Sequence, residues 1–70
     1  MQLKVNGEIK VISSNDKITS LSKVIKELGH HPKTVVVELN GSIVNPKLWE
    51  KEKVKQNDIL EIVTIVGGGA

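Results

Sequence analysis

Asn57-Asp58-Ile59-Leu60-Glu61-Ile62-Val63-Thr64-Ile65-Val66-Gly67-Gly68-Gly69-Ala70 closes the chain and decides how the rest is read. Asn57-Asp58 is a turn. From Ile59 to Val66 only Glu61 and Thr64 are polar, which makes this the most apolar run in the sequence. A strand so apolar that arrives so late fills the centre of a sheet, where neighbours cover it. Three glycines follow, with no side chains to pack a core. Glycine permits close backbone approach and φ values barred to other residues. Five extended residues reach about 17 Å. Such a tail can thread a partner's narrow channel and deliver a free backbone carboxylate there. On the tail alone, an ordinary chain end or an added glycine tag would look the same.

Working back from that strand, Thr34 to Leu39 is a β-branched run, expected to be a strand covered on more than one side. Asn40-Gly41 signals a hairpin into Ser42-Ile43-Val44. Asn45-Pro46 opens an irregular segment whose only large apolar groups are Leu48 and Trp49. Trp49, the single aromatic, reads as a lid packed on the edge of the core. Earlier still, Ile18, Leu21, Val24, Ile25 and Leu28 fall on one helical face, with Lys23, Lys26 and Glu27 toward solvent. Thr19 is the expected cap, Gly29 the left-handed residue after the helix, and Pro32 the stop. At the start, Leu3 and Val5 alternate with polar residues, Asn6-Gly7 is a second hairpin signal, and Ile9 and Val11 share a face of the returning strand. Ser13 to Asp16 is a polar loop. Hairpin, helix, hairpin and strand make an α+β domain of two layers, with one main helix on a mixed sheet.

Seventy residues make one small domain, which buries only about 60% of its unfolded surface. There is no cysteine, so disulfides, thiolate ligands and a cysteine nucleophile are excluded, and any sulfur chemistry takes its sulfur from outside. A net charge of +2 comes from ten lysines spread along the chain rather than clustered. No segment resembles a secretion signal or a membrane span, and the chain is expected in the cytoplasm.

No internal constellation carries chemistry. His30-His31 has no carboxylate or cysteine at metal-ligand spacing, and no metal is expected. Asp16, Glu38 and Glu61 show no pairing suited to acid–base work, and Ser13, Ser14, Ser20 and Ser22 lack a nucleophile's setting. The glycines are followed by neither Lys-Ser/Thr nor a helix, so they are not a phosphate loop. One aromatic makes no stacking platform for nucleic acid. The tail is the one feature left that needs a functional account, and no catalytic residue is expected.

The whole chain resembles the ThiS family, the sulfur carriers of thiamin biosynthesis. The residues that carry the likeness are the Asn6-Gly7 hairpin and the single amphipathic helix. With them go Val-Val-Val-Glu-Leu-Asn-Gly-Ser-Ile-Val-Asn-Pro-Lys-Leu-Trp from Val35 to Trp49, the run from Val54 to Ile62, and Val66-Gly67-Gly68-Gly69. The resemblance implies a ubiquitin-like β-grasp over residues 1–66, with four to five strands and the first and last strands parallel and central. Residues 67–70 would then be a flexible glycine-rich C-terminal tail. It implies a protein cosubstrate rather than an enzyme. A ThiF-type activating enzyme would adenylate the terminal carboxylate with ATP, and a sulfur donor such as a cysteine desulfurase would convert it to a thiocarboxylate. Thiazole synthase would then use that sulfur for the thiazole ring. The carrier itself would bind no cofactor. Gly67, Gly68 and Gly69 would thread into partners.

Two positions depart from the pattern. Ala70 follows the last glycine, so Gly69 bears the thiocarboxylate if Ala70 is trimmed, and Ala70 bears it otherwise. Asn57 stands where Gly is usual, and Asn also tolerates the left-handed region. For docking, Ile62, Ile65 and Val66 are the candidates, on an outer sheet face near the tail. Alternatives stay open: a molybdopterin synthase small subunit, which often has Pro shortly before its Gly-Gly where this chain has Ile65-Val66; a carrier for tRNA thiolation or amino-acid synthesis; a ubiquitin-like interaction module with an inert tail; or a small basic RNA-binding domain.

Overall fold

Asn6 and Gly7 have φ of 50° and 83°, and Asn40 and Gly41 have 50° and 90°. Two successive left-handed residues match the twist of the flanking strands, so each pair closes a two-residue hairpin. The first joins β1 (Gln2–Val5) to β2 (Glu8–Val11), and the second joins β4 (Val35–Leu39) to β5 (Ser42–Ile43). The computed structural model describes residues 1–13 and 17–65. The last strand, β7 (Ile59–Thr64), lies between the hairpins, giving the order β2-β1-β7-β4-β5. It runs parallel to β1 and antiparallel to β4. The late apolar strand is therefore central, as its composition predicts, and the sheet is mixed. Asn57, at φ 71°, makes the left-handed turn into it.

One helix, α1 (Leu21–Glu27), covers one face of this sheet. Leu21, Val24 and Ile25 are buried in one cluster with Leu3, Val5, Val35, Val37, Leu39, Leu60 and Ile62. The helix is shorter than its periodicity predicts. Ile18 and Thr19 belong instead to a strand, β3 (Ile18–Ser20), paired antiparallel with β6 (Lys53–Lys55) as a separate two-stranded sheet. Ile18 is 53% exposed, and Thr19 is a strand residue rather than the cap. Ser20 caps the helix, its hydroxyl accepting from Lys23 N–H at 3.3 Å. Two more N–H groups of the first turn are satisfied from elsewhere in the chain: Leu21 donates to Glu52 C=O at 2.9 Å and Ser22 to Trp49 C=O at 3.1 Å. These tertiary partners fix the start of the helix where local spacing misplaces it. At its other end Gly29, at φ 86°, donates to Lys26 C=O, and His30 donates to Ile25 C=O. This is the paired closure expected of a left-handed glycine.

The irregular segment contains one 3-10 turn, Pro46–Leu48. Trp49 after it is 2% exposed, and its indole N–H donates to Val44 C=O at 2.9 Å. It packs as part of the core, while Leu48 stays exposed. Two expectations about coverage change. β4 is covered on one face only, with Val35, Val37 and Leu39 buried and Val36 exposed. On β2, Ile9 and Val11 share a face, but it is the outer one. The register sets Leu3 opposite Lys10 and Val5 opposite Glu8, so Ile9 and Val11 side with Lys4 and Gln2, away from the helix. Glu8 and Lys10 pair with each other at 3.4 Å along that edge. No helix among the described residues is long and apolar enough to cross a membrane.

Candidate functional site

Val66, Gly67, Gly68, Gly69 and Ala70 lie outside the described residues. What the structure defines is the base from which they continue. β7 is fixed at both ends by asparagine side chains from the two hairpin turns. At its start, Asn40 Oδ1 accepts from Ile59 N–H at 2.9 Å, and Asn40 Nδ2 donates to Asp58 Oδ1 at 3.2 Å. Asp58 is buried and its Oδ2 accepts from Lys55 N–H at 2.9 Å. Near its end, Asn6 does the equivalent on the other flank. Its backbone N–H donates to Leu60 C=O at 2.9 Å. Its side-chain Oδ1 accepts from Ile62 N–H at 2.7 Å, while Nδ2 donates to Ile62 C=O at 3.1 Å. The side-chain amide acts as one further peptide unit, completing a rung of the ladder where β1 turns away. On the β4 side, Ile65 N–H still donates to Thr34 C=O at 2.7 Å.

Of the docking candidates, Ile62 is corrected. It is 7% exposed and sits in the core, because it pairs with Val37 on the helix side of the sheet. Ile65 is 49% exposed. The neighbour that sequence reasoning missed is Val63, 61% exposed and opposite Val36 on the outer face. Ile59 and Ile43 extend that apolar surface. Both faces of Ile59–Ile65 are rich in apolar residues, so the alternation alone could not say which parity points inward. Among the described residues, Glu38 and Glu61 face each other directly on this outer side with no cation within 4 Å.

His30 and His31 lie just past the helix, and His31 Nδ1 accepts from Lys33 N–H at 3.2 Å. Among the described residues no cluster of His, Asp and Glu is arranged to hold a metal. Among the described residues, the one clearly perturbed carboxyl is structural: Ser13 N–H and then Ser13 Oγ–H, each 2.7 Å from Glu27 Oε2, hold Glu27 below its ordinary 4.5. What the arrangement offers is a central strand, clamped on both flanks and bearing an exposed apolar outer face, that is followed in sequence by the glycines.

Comparison with known proteins agrees over nearly the whole length. The model of the ThiS family matches residues 3–69. The crystal structure of the thiamine biosynthesis protein ThiS from Geobacter metallireducens superposes with a TM-score of 0.81 at 27% identity, covering 99% of this chain and 100% of that one. A thiazole synthase from Paramagnetospirillum magneticum is 36% identical over all of this chain, which spans 21% of that protein. The uncharacterized protein ycf40 of Pyropia yezoensis is 33% identical, with 99% of this chain and 93% of that protein aligned. Its counterpart in Trieres chinensis is 57% identical over 35 residues, and the match spans about half the length of each, 50% of this chain and 48% of that protein.

Proposed function

The chain belongs to the ThiS family, and on that footing we propose that it is a sulfur carrier of thiamin biosynthesis, a protein cosubstrate with no catalysis of its own. The observation that carries this reading is the family match through Gly69 on a fold whose central strand, Ile59–Thr64, is followed closely in sequence by the glycines. Residues 67–70 are the working tail, continuing from a domain that ends near Val66. A carboxylate is a poor electrophile until one of its oxygens becomes part of a good leaving group. A ThiF-type enzyme supplies that: the terminal carboxylate oxygen attacks the α-phosphorus of ATP, pyrophosphate leaves, and an acyl-adenylate forms. The outer sulfur of a persulfide on a donor such as a cysteine desulfurase then attacks the carbonyl carbon, and AMP leaves to give an acyl disulfide. A second thiol attacks the donor's sulfur, forms a disulfide with it and releases the thiocarboxylate. Thiazole synthase draws on that sulfur for the thiazole ring, in the cytoplasm. ATP is consumed by the activating enzyme, and the carrier binds no cofactor.

Gly69 bears the thiocarboxylate once Ala70 is removed. Gly67 and Gly68 let the chain pass through a channel too narrow for side chains. Ordering five residues there costs about 5–10 kcal/mol at 1–2 kcal/mol each. Backbone hydrogen bonds to the partner and contacts from the outer face around Val63 and Ile65 must offset that cost. Intact mass spectrometry tests the reading, before and after incubation with a ThiF-type enzyme, ATP and a sulfur donor. Oxygen-to-sulfur exchange on a species ending at Gly69 is expected. Exchange on a species that keeps Ala70 would retain the carrier and discard the trimming. No exchange, with an enzyme that thiocarboxylates its own carrier, would refute the reading.

A further inference from the structure

Glu38 and Glu61 are direct cross-strand partners on the outer face of the sheet. Such partners have Cβ atoms about 4.5–5.5 Å apart, and like charges so placed oppose the pairing. The residues around them are apolar. Val36 and Val63 face each other two residues along the same strands, Ile59 lies two residues before Glu61, and Ile43 is the partner of Glu38 on its other side. All four are exposed. The described residues include all ten lysines and both histidines of the chain, and none comes within 4 Å of either carboxylate. Lys4 shares the face, but its register partner is Ile59. Lys10 and Lys55 pair elsewhere, with Glu8 and Asp58. In a chain of net charge +2, two facing negative charges are thus left without a counter-charge inside an exposed apolar surface. A local rule broken with no compensation in the fold points to a use outside it.

We propose that this acidic pair receives an arginine side chain of the activating enzyme, presented among apolar groups on that enzyme's surface. The proposal deepens the carrier reading and rests on it. The chemistry of the occupant follows from the face itself. A partner that covers Val36, Ile43, Ile59 and Val63 also takes Glu38 and Glu61 out of water, and a buried charge without a counter-charge is strongly disfavoured. That excludes a purely apolar partner face. It also excludes a second copy of this chain: two such faces about a two-fold axis would bring four carboxylates together against one Lys4 from each. A guanidinium suits the pair better than an ammonium, because its planar fork donates to two carboxylates at once. Glu61 stands eight residues before Gly69, a reach of at most about 26–29 Å. The enzyme that adenylates the end of the chain therefore works close to this face.

Neutralising the pair separates a cationic partner from an apolar one by sign. Glu38→Gln combined with Glu61→Gln removes both charges and keeps the shapes of the side chains. KM and kcat for ATP-dependent adenylation by a ThiF-type enzyme are measured with urea midpoints for the wild type and this double variant. The expected result is a KM raised about tenfold with kcat little changed, at a midpoint no lower than that of the wild type, since the cross-strand repulsion is gone. Wild-type KM should rise with salt, and that of the double variant should rise less. Glu61→Lys sets a like charge against the arginine and should raise KM by about a hundredfold. Glu50→Gln, at an exposed glutamate outside the sheet, is the control for net charge and should leave KM unchanged. An unchanged KM in the double variant would overturn the arginine, and so would a lowered one, the result an apolar partner face gives. A rise matched by Glu50→Gln would reduce the effect to net charge and overturn the site. A double variant with a lower midpoint would make the pair a structural device and overturn it too. All of these leave the carrier intact. A wild-type chain that no activating enzyme adenylates would overturn the carrier reading, and the docking with it.

Discussion

Replacing Asn6 separates two jobs held by one residue. Its backbone sits at φ 50° in the hairpin, and its side chain makes two hydrogen bonds to Ile62. Asn6→Gly keeps the turn, because glycine adopts positive φ freely, and removes only the side-chain rung. Each lost bond is worth about 0.5–1.5 kcal/mol net. Water can reach part of the vacated site, so the lower half of the sum applies, about 1–2 kcal/mol. Asn6→Ala loses the same bonds and adds about 1–2 kcal/mol for a side chain forced into the left-handed region. For a domain of this size, stable by about 3–5 kcal/mol, the first variant folds and the second is near its limit. Urea unfolding followed by Trp49 emission reads both. With a slope near 1 kcal/mol per molar, the midpoint should fall by about 1–2 M for Asn6→Gly and further for Asn6→Ala. Amide exchange at Ile62 should quicken selectively in the glycine variant. An Asn6→Gly midpoint equal to the wild type would refute the rung, and equal midpoints for the two variants would refute the turn argument.

Three further outcomes follow from the structure. Trp49→Ala should leave the chain largely unfolded at neutral pH, since emptying a buried aromatic site costs about 3–5 kcal/mol and would strand the Val44 carbonyl; far-ultraviolet circular dichroism would show it. Glu27, held below its ordinary 4.5, stabilises the fold above that value and loses the contribution as pH falls through its lower folded value. Glu27→Gln should therefore lower the urea midpoint at pH 7, and the gap from the wild type should close below about pH 4.5; equal gaps at pH 7 and pH 3 would contradict this. Gly68→Val should block thiocarboxylate formation without shifting the melting temperature, and retained sulfur transfer in that variant would sink the threading idea.

Local signals that rest on backbone chemistry were legible in the sequence. Asn6-Gly7, Asn40-Gly41, Asn57 and Gly29 all occupy the positive φ their residue types suggest, and the late apolar strand is central. What escaped the sequence depends on distant partners. Ile18 fits a helical face by spacing, yet its backbone pairs with Lys55, and β6 carries a single apolar residue between lysines, too little to announce a strand. Ile62 reads as a contact because it is apolar and near the tail in sequence, but the inward parity of β7 is set by its register with Val37. The clamping role of Asn6 is hidden for a similar reason: an Asn-Gly pair is explained by its turn, and nothing local indicates that its amide reaches Ile62.

The order of the sheet also bears on how the molecule comes into being. β1 is made first and β7 last, yet they lie side by side at the centre, with Lys4 beside Ile59. During synthesis the two hairpins emerge as separate halves, each with an unpaired edge and an apolar face, and neither can join the other until the final strand leaves the ribosome. Contacts so far apart in sequence slow folding. They also make its completion all-or-none, because a chain cut short of Leu60 lacks the strand that unites the halves. The glycines that follow Ile65 in sequence are thus translated only after the strand whose insertion finishes the fold, so a nascent chain does not present them before the pieces of its body are all made.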